Sequence, residues 1–180
     1  MPNITKHGTI VSALEDGRYP VLGLRIGSSD ISRGTKISKK DTHSTPTISL
    51  PSSLDQEATY TVIAVDIDAP FASWNALSPI VHWVQTDLKV AVQRESAQLS
   101  LRLESDQSPV IPWLPAGPPP GAAPHRYIFL LYVQKQGEEI PEGLKGKPIK
   151  RAQRMRFDLD VMVEKLGLGD AVAGTSFLAN

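Results

Sequence analysis

Apolar runs alternate with polar segments rich in proline and glycine along most of the 180-residue chain, which contains 15 prolines and 13 glycines. Short apolar runs bounded by such turn-forming residues are typical of strands in an all-β sandwich or barrel. The pattern therefore predicts a mostly β fold. The predicted strands are Tyr19–Ile26, Thr45–Leu50, Thr59–Ile67, Ile80–Leu88, Leu99–Leu103, Arg126–Val133 and Ala171–Phe177.

Three segments do not fit the strand pattern. Residues Gly27–His43 are mostly polar and are expected to form a long loop, whereas Lys89–Ala97 has no clear period and fits a loop or a helical turn. Between Arg151 and Leu166, apolar residues recur every three or four positions, which is the spacing of one helix face. We therefore predict a C-terminal amphipathic helix, which Gly167 ends.

Charge is balanced over the whole chain but clustered locally. Nineteen basic and nineteen acidic residues give a formal net charge of zero, so no overall field attracts nucleic acid or an anionic membrane. Lysines and arginines between Lys145 and Arg156 cluster around the start of the predicted helix. A solvated helix face is the simpler interpretation of this cluster, and an anion-docking patch is the alternative.

Composition limits the fold class and the compartment. The chain has no cysteine, which excludes disulfides, a thiolate nucleophile and a cysteine-based zinc site. No stretch has the apolar core of a signal peptide or the roughly 18 apolar residues of a membrane-spanning helix. We therefore expect a cytoplasmic protein, and its length and 41% hydrophobic content fit a single domain over residues 1–180, expected to be a monomer.

Two carboxylates end the most apolar predicted strand. Side chains alternate along an extended chain, so Asp66 and Asp68 are expected on one face, roughly 6 to 7 Å apart, where one ligand can contact both. A strand-end turn, in which Asp68 accepts backbone hydrogen bonds, is the alternative for that residue. The Ala69–Pro70 bond is a candidate cis peptide.

Two of the four histidines, His82 and His125, lie inside apolar strands. A buried histidine more often satisfies a hydrogen bond than binds a ligand, and this interpretation is favoured for either one alone. Alternation places His125 and Tyr127 on one strand face, so both can line one cavity. It places Arg126 on the other face, where an ion pair between neighbouring elements is expected.

The segment between Trp113 and His125 contains three consecutive prolines flanked by Gly117 and Gly121. Such a segment forms neither a helix nor a central strand, so we predict a stiff loop. The glycines allow the backbone to approach a ligand closely. A polyproline ligand for a recognition domain is one interpretation, and a pocket wall leading into the next strand is the favoured one.

Four stretches, in this order along the chain, resemble motifs of the phosphatidylethanolamine-binding protein family: VDIDAP, HWVQTDL, GPPPGAAPHRYIFLLY and AVAGTSF. The third is most similar to the fungal branch that contains the inhibitor of vacuolar carboxypeptidase Y. The resemblance implies a β-sandwich with a large central antiparallel sheet, a C-terminal helix and a small pocket for phosphate or a phospholipid head group. The ligand-binding residues that it implies are Asp66, Asp68, His82, Gly117, Pro118, Pro119, His125 and Tyr127.

The same resemblance implies a non-enzymatic, cofactor-free binding protein that regulates signalling or proteolysis. The alternative is an inhibitor of a serine carboxypeptidase or a protein kinase that acts through its surface. An aspartate raises the pKa of a neighbouring imidazole, so both pocket histidines are expected to be protonated and to donate to phosphate. A ligand amine is expected to reach Asp66 or Asp68. Departures from the family motifs at Ile67, Val81 and Pro120 put the charge of the pocket rim in question.

Enzymatic alternatives have weaker support. No G-x-S-x-G elbow is present, and Ser73 and Ser78 have no evident base beside them. Two acids on one strand are a weak sign of glycoside hydrolysis. A metal site built from both strand histidines and Asp66 has suitable ligand types but ranks below anion binding.

Overall fold

The computed structural model describes residues 8–95, 98–135 and 149–180. Strands dominate these residues, as predicted, and seven of them correspond to the seven expected from the sequence. The strands are β1 (Gly23–Ile26), β2 (Ser29–Asp30), β3 (Thr35–Ile37), β4 (Thr47–Ser49), β5 (Thr59–Asp66), β6 (Ile80–Glu95), β7 (Gln98–Glu104), β8 (His125–Gln134) and β9 (Ala171–Ala179). The helices are α1 (Gly8–Glu15) and α2 (Leu159–Lys165), with 3-10 turns at Lys39–Thr42 and Arg151–Arg154.

One sheet joins the nine strands of the described residues in the order β2-β1-β4-β7-β6-β5-β8-β9-β3. Neighbouring strands are antiparallel except β3 and β9, which run parallel. The large antiparallel sheet and the short C-terminal helix confirm the predicted fold class. No helix in the described ranges is both long and apolar enough to cross a membrane.

Strict alternation along the central strand β5 divides the core into two apolar clusters. Tyr60, Val62 and Ala64 belong to one cluster, and Ile63 and Val65 belong to the other. Alternation on β8 follows the same rule, as the sequence predicted. The two clusters cover opposite faces of the sheet, and α2 packs into the cluster that contains Ile63 and Val65.

Strand register brings three strand ends together at one end of the sheet. Asp66, the last residue of β5, pairs with Ile80 at the start of β6 and with Tyr127 near the start of β8. His82 and His125 lie within two residues of these pairs. The sheet therefore brings Asp66, His82 and His125 together at this one end, where the three strands start or finish.

Two loop predictions were wrong. Lys89–Glu95 continues β6 and pairs with β7, forming a ribbon whose Val92 is 63% exposed. Because much of this ribbon faces solvent, its sequence lacks the apolar alternation of a half-buried strand. Gly27–His43 contains the short strands β2 and β3 and a 3-10 turn. Each of these elements is too short for its sequence to show a recognisable apolar period.

The predicted C-terminal helix is shorter than its apolar spacing indicated. Arg151–Arg154 form a 3-10 turn, Arg156 has a positive φ of 52°, and α2 begins only after Asp158. The Asp158 carboxylate accepts a hydrogen bond from the Val161 N–H and so caps α2. Ala152, the apolar residue of the period in the 3-10 turn, is exposed, and the buried side chain of that turn is Arg154, so the apolar spacing did not mark where the helix begins.

Candidate ligand-binding site

A cavity of about 130 Å³ lies where the end of β5 meets the starts of β6 and β8. Its volume holds several water molecules, and hence a group the size of phosphate. Five of the residues predicted for the site line it, namely Asp66, His82, Gly117, Pro119 and His125. The structure therefore brings these five residues together around one cavity, and the bonding among them differs from the prediction.

Asp66 and His125 form a buried ion pair in the cavity floor. The His125 Nδ1 lies 2.9 Å from Asp66 Oδ2, and its Nε2 lies 3.1 Å from the Pro70 carbonyl oxygen. Because a carboxylate and a carbonyl oxygen only accept hydrogen bonds, both ring nitrogens donate and the ring is an imidazolium. Burial acts to lower the pKa of His125, but the hydrogen bond to Asp66 and its charge outweigh burial and raise it.

Both partners of the floor pair are hydrogen-bonded within the protein. Asp66 Oδ1 accepts the Asp68 N–H at 2.9 Å while Oδ2 accepts from His125, so both carboxylate oxygens are bonded. Both nitrogens of His125 are bonded as well. Opposite charges in contact cancel, so the floor presents no net charge to a ligand.

Asp68 does not line the cavity, which corrects its assignment as a ligand-binding residue. Its carboxylate accepts from the backbone N–H, Nε and Nη2 of Arg126 at 2.8–2.9 Å. Burial acts to raise the pKa of Asp68, but these hydrogen bonds outweigh it and lower it. Because β5 ends at Asp66, side-chain alternation does not extend to Asp68. Arg126 also binds Glu15 of α1 at 2.9 Å, which confirms its predicted ion-pair role.

His82 is neutral, unlike His125. Its Nδ1 lies 2.6 Å from the Leu114 carbonyl oxygen and must donate to it. Burial lowers the pKa of His82 despite that hydrogen bond, so the neutral ring has an unprotonated Nε2 that accepts. The expectation that both imidazoles are protonated was therefore wrong for His82.

Tyr127 and Pro118 support the cavity wall from outside the lining. The Tyr127 hydroxyl accepts the Gly117 N–H at 3.3 Å, and its ring stacks on Phe177 with centroids 4.9 Å apart. Burial, and then the charge of Asp66, raise the pKa of Tyr127, so it stays neutral. The carbonyl oxygen of the buried Pro118 accepts a hydrogen bond from Lys39 Nζ at 3.0 Å. Neither residue lines the cavity itself, and both bind backbone or side-chain groups behind its wall.

The 3-10 turn Lys39–Thr42 holds the proline-rich wall from behind. The hydroxyl of Thr42, which is fully buried, accepts the Ala116 N–H at 2.9 Å, and its carbonyl accepts Trp113 Nε1 at 2.8 Å. These bonds cross more than 70 residues of sequence. Sequence reasoning missed this support because the turn lies in a segment expected to be loop.

Arg151 is a lining residue that the sequence reasoning did not assign to the pocket. It lies in the second 3-10 turn, and its guanidinium Nη2 lies 3.5 Å from the position that a Cβ on Gly117 would occupy. No carboxylate in the described ranges lies within ion-pair distance of it. The basic cluster was the available signal, and its alternative interpretation as an anion-docking patch fits this residue.

Ile67, Val81 and Pro120, where the chain departs from the family motifs, do not line the cavity. Ile67 and Val81 are buried in the apolar cluster on the opposite face of the sheet, and Pro120 is exposed. The Ala69–Pro70 peptide is cis, as predicted. The charge of the cavity is therefore set by the neutral floor and by Arg151.

Comparison with known proteins agrees with this architecture. Residues 27–177 match a family model described as phosphatidylethanolamine-binding protein. The chain is 35% identical over 101 residues to the phomoidride biosynthesis cluster protein N of Talaromyces stipitatus, covering 56% of this chain and 49% of that one. It is 32% identical over 85 residues to the carboxypeptidase Y inhibitor of Saccharomyces cerevisiae, covering 43% and 39%. The matches therefore span half or less of the length of these curated relatives.

Two solved structures show the same fold. The carboxypeptidase Y inhibitor complexed with its cognate proteinase matches with a TM-score of 0.72 at 22% identity, over 99% of this chain and 93% of that one. A phosphatidylethanolamine-binding protein from Plasmodium vivax matches with a TM-score of 0.69 at 15% identity, over 99% and 95%. At these identities the likeness establishes the fold.

Proposed function

The chain belongs to the phosphatidylethanolamine-binding protein family, and from that premise we propose that its cavity binds the anionic head group of a phosphorylated ligand or phospholipid. We propose further that the protein is a single-domain, cofactor-free, cytoplasmic monomer that regulates signalling or proteolysis. Arg151 is the proposed cation of the site.

The observation that supports this proposal is the charge balance of the cavity. Asp66 and His125 neutralise each other in the floor, and His82 is neutral, so Arg151 supplies the net charge of the lining. A guanidinium binds two oxygens of a phosphate or carboxylate at once, with hydrogen bonds about twice as strong as neutral ones. The bare Nε2 of His82 can accept from a ligand hydroxyl. A singly protonated phosphate monoester therefore matches both groups.

The bonding in the floor alters the expected ligand preference. An amine on the ligand was expected to reach Asp66 or Asp68, but Asp68 does not line the cavity and the charge of Asp66 is already paired with His125. We therefore propose that phosphoethanolamine binds no more than a few-fold more tightly than inorganic phosphate.

The proposed function is non-enzymatic. A hydrolase needs a nucleophile beside a free base. Ser78 is buried, and its hydroxyl accepts the Ala69 N–H at 2.8 Å and donates to the Ala69 carbonyl at 3.3 Å. Both nitrogens of His125 are protonated, so it cannot act as a base. The Nε2 of His82 is unprotonated, but among the described residues the cavity lining contains no serine, threonine or cysteine for it to activate. These bonds favour a binding site over a catalytic one.

A calorimetric titration with phosphoethanolamine tests the proposal, using Arg151→Gln and the matched control Lys150→Gln. Both side chains are exposed and adjacent, but only Arg151 lines the cavity. We expect Arg151→Gln to weaken binding about tenfold or more, because a charge-assisted hydrogen bond is lost. Lys150→Gln should change affinity by less than about threefold. No binding by the parent protein, or equal losses in both variants, would overturn the proposal.

Inhibition of a serine carboxypeptidase, through the surface and with the pocket as a switch, is the second candidate. The similarity to the yeast carboxypeptidase Y inhibitor supports it. An inhibitor of this type is expected to use its N-terminal segment, and the short, polar sequence of residues 1–10 counts against this candidate. Residues 1–7 lie outside the described residues. Assays of carboxypeptidase Y with the full chain and with a chain lacking residues 1–8 test this candidate. Inhibition that persists without these residues and responds to phosphoethanolamine would support a pocket-controlled surface, and no inhibition by either chain would refute it.

A further inference from the structure

A lateral cavity lies between Trp83 in β6 and Asp106 in the loop after β7. Its volume of about 340 Å³ falls within the range of small-molecule sites, which begins at about 300 Å³. The middle of β6, the end of β7, the start of β4 and the loop after β7 form its walls. No residue lines both this cavity and the candidate ligand-binding site, so the lateral cavity has room for a ligand of its own.

The buried part of the lateral cavity is apolar. Trp83, Leu88 and Leu103 line it, are no more than 5% exposed and belong to the same apolar cluster. Because they are close-packed against that cluster, they present a fixed surface to the cavity. Such a surface binds the hydrocarbon body of a ligand, and an indole ring also attracts a cation over its face.

Gln85 supplies a buried acceptor to which no donor in the described ranges is bonded. The residue is 7% exposed, and its amide nitrogen lies 3.1 Å from the Thr86 carbonyl oxygen and 3.0 Å from that of Gln107. Because carbonyl oxygens only accept, the nitrogen donates to both and its two hydrogens are used. The remaining polar atom is Oε1, and polar atoms of buried side chains are nearly always hydrogen-bonded. The lateral cavity therefore offers an acceptor for a donor that the ligand supplies.

Carboxylates outnumber cations around the lateral cavity. Its lining contains one cation, Arg102, and two carboxylates, Glu104 and Asp106, which leaves one net negative charge. Arg102 Nη1 lies 4.0 Å from Glu104 Oε1, so these two charges largely offset each other. Asp106 is exposed, and no cation in the described ranges lies within ion-pair distance of its carboxylate. The rim therefore favours a ligand with a positive charge and disfavours an anion.

We propose that the lateral cavity binds a small organic amine, with its apolar body against Trp83 and its ammonium group bonded to Gln85 Oε1 near the acidic rim. An ammonium group has three N–H donors and no acceptor, which matches an amide oxygen and a carboxylate. Hydrogen bonds from a charged donor are about twice as strong as neutral ones. This binding does not depend on the proposed function, because the two cavities share no lining residue.

A sugar is the competing ligand, because an aromatic wall with a few polar groups also suits a compound rich in hydroxyls. Each hydroxyl both donates and accepts, so a sugar needs donors from the protein as well as acceptors. The amide hydrogens of Gln85 are already used, and Arg102 lies beside Glu104. The free acceptor and the net negative charge therefore favour an amine over a sugar.

An NMR titration with phenethylamine tests the proposal. This probe has a phenyl body and one ammonium group, and phenylethyl alcohol is an uncharged match of nearly the same shape. We expect phenethylamine at millimolar concentration to shift the Trp83 indole N–H and the Gln85 side-chain amide, and to leave the Gly117 N–H unchanged. The alcohol should bind at least about fivefold more weakly, because it lacks the charge. Inorganic phosphate reads the candidate ligand-binding site separately through Gly117.

Two substitutions at the rim should act in opposite directions. Asp106→Asn removes an exposed carboxylate and should weaken phenethylamine binding about three- to fivefold, the upper range for an exposed charge pair. Arg102→Gln removes the lining cation and should strengthen binding about twofold or more. The matched control is Asp170→Asn, which changes an exposed aspartate outside the lining and should alter affinity by less than about twofold. Circular dichroism checks that each variant is folded.

The possible outcomes decide between an amine site, a sugar site and no site. Phenethylamine that shifts neither Trp83 nor Gln85 overturns the proposal, whatever phosphate does at Gly117. Equal affinity for the amine and the alcohol, or binding that Asp106→Asn leaves unchanged, also overturns it. Methyl glucoside that shifts the same signals at lower concentration than phenethylamine shows a sugar site instead. Shifts that weaken in Asp106→Asn and strengthen in Arg102→Gln support the amine site, even where phosphate fails to bind.

Discussion

Replacing Asp66 by asparagine tests the charge state assigned to the cavity floor. In the wild-type protein the His125 imidazolium lies between the Asp66 carboxylate and the Pro70 carbonyl. The Asp66 side chain is 4% exposed and the His125 side chain is 1% exposed. Asparagine keeps an acceptor for the Asp68 N–H but removes the charge. A protonated His125 is then buried without its counterion, and removing one partner of a buried pair costs roughly 3–5 kcal/mol.

The cost should depend on pH. His125 has a raised pKa in the folded protein, so the stability that its charge contributes is present below pH 6.5 and is lost as pH rises through the raised value. In Asp66→Asn, burial lowers that pKa. Neutral His125 can then accept from the asparagine amide at Nδ1 and still donate to the Pro70 carbonyl from Nε2. The difference in stability should therefore shrink to about 1 kcal/mol at alkaline pH.

Urea unfolding of both proteins between about pH 5 and about pH 9, across the range where histidine titrates, measures this difference. Burial lowers the pKa of His82 and the charge of Asp66 acts to raise it, so both proteins carry His82→Gln and the measured difference excludes the titration of His82. Asp30→Asn is the control, because its ion pair with Arg25 is exposed and is expected to contribute less than about 1 kcal/mol. A difference between wild type and Asp66→Asn that is the same at every pH would refute the assignment of an imidazolium to His125.

Two further substitutions test elements that position the site. Thr42→Val keeps the shape of a fully buried side chain but leaves the Ala116 N–H without its acceptor, so unfolding should become easier by roughly 1–3 kcal/mol; an unchanged urea midpoint would mean that the turn does not hold the wall. Gly174→Ala would place a Cβ 2.6 Å from the Phe129 carbonyl oxygen and 2.7 Å from Leu14 of α1, so overpacking should cost roughly 1–3 kcal/mol and increase amide exchange in α1; normal protection of α1 would contradict this contact.

Sequence alternation predicted the floor of the cavity because the central strands are buried on both faces. Along β5 and β8 every second residue belongs to the same cluster, so the faces of Asp66, His125 and Tyr127 followed from parity alone. The same rule failed at Asp68 because the strand ends before it. Periodicity gives the direction of a side chain only while the backbone remains regular.

The protonation states of the two histidines and the residues at the cavity rim depend on contacts between positions far apart in sequence. The acceptors that fix the proton on His82 and on His125 are carbonyl oxygens of Leu114 and Pro70, 32 and 55 residues away. Arg151 reached the cavity because a 3-10 turn replaced the first turns of the predicted helix. Neither carbonyl direction nor the point at which a helix begins is encoded in the spacing of apolar residues.

The separation between a charge-neutral floor and a single exposed cation has an evolutionary consequence. Changing a floor residue such as Asp66 disturbs buried bonds on which folding depends, whereas Arg151 lies on a surface turn where most substitutions change stability by less than about 0.5 kcal/mol. Ligand selectivity can therefore diverge between relatives by single substitutions at the rim, without passing through unstable intermediates. The fold keeps the scaffold of the pocket under strong constraint and leaves its selectivity free to evolve.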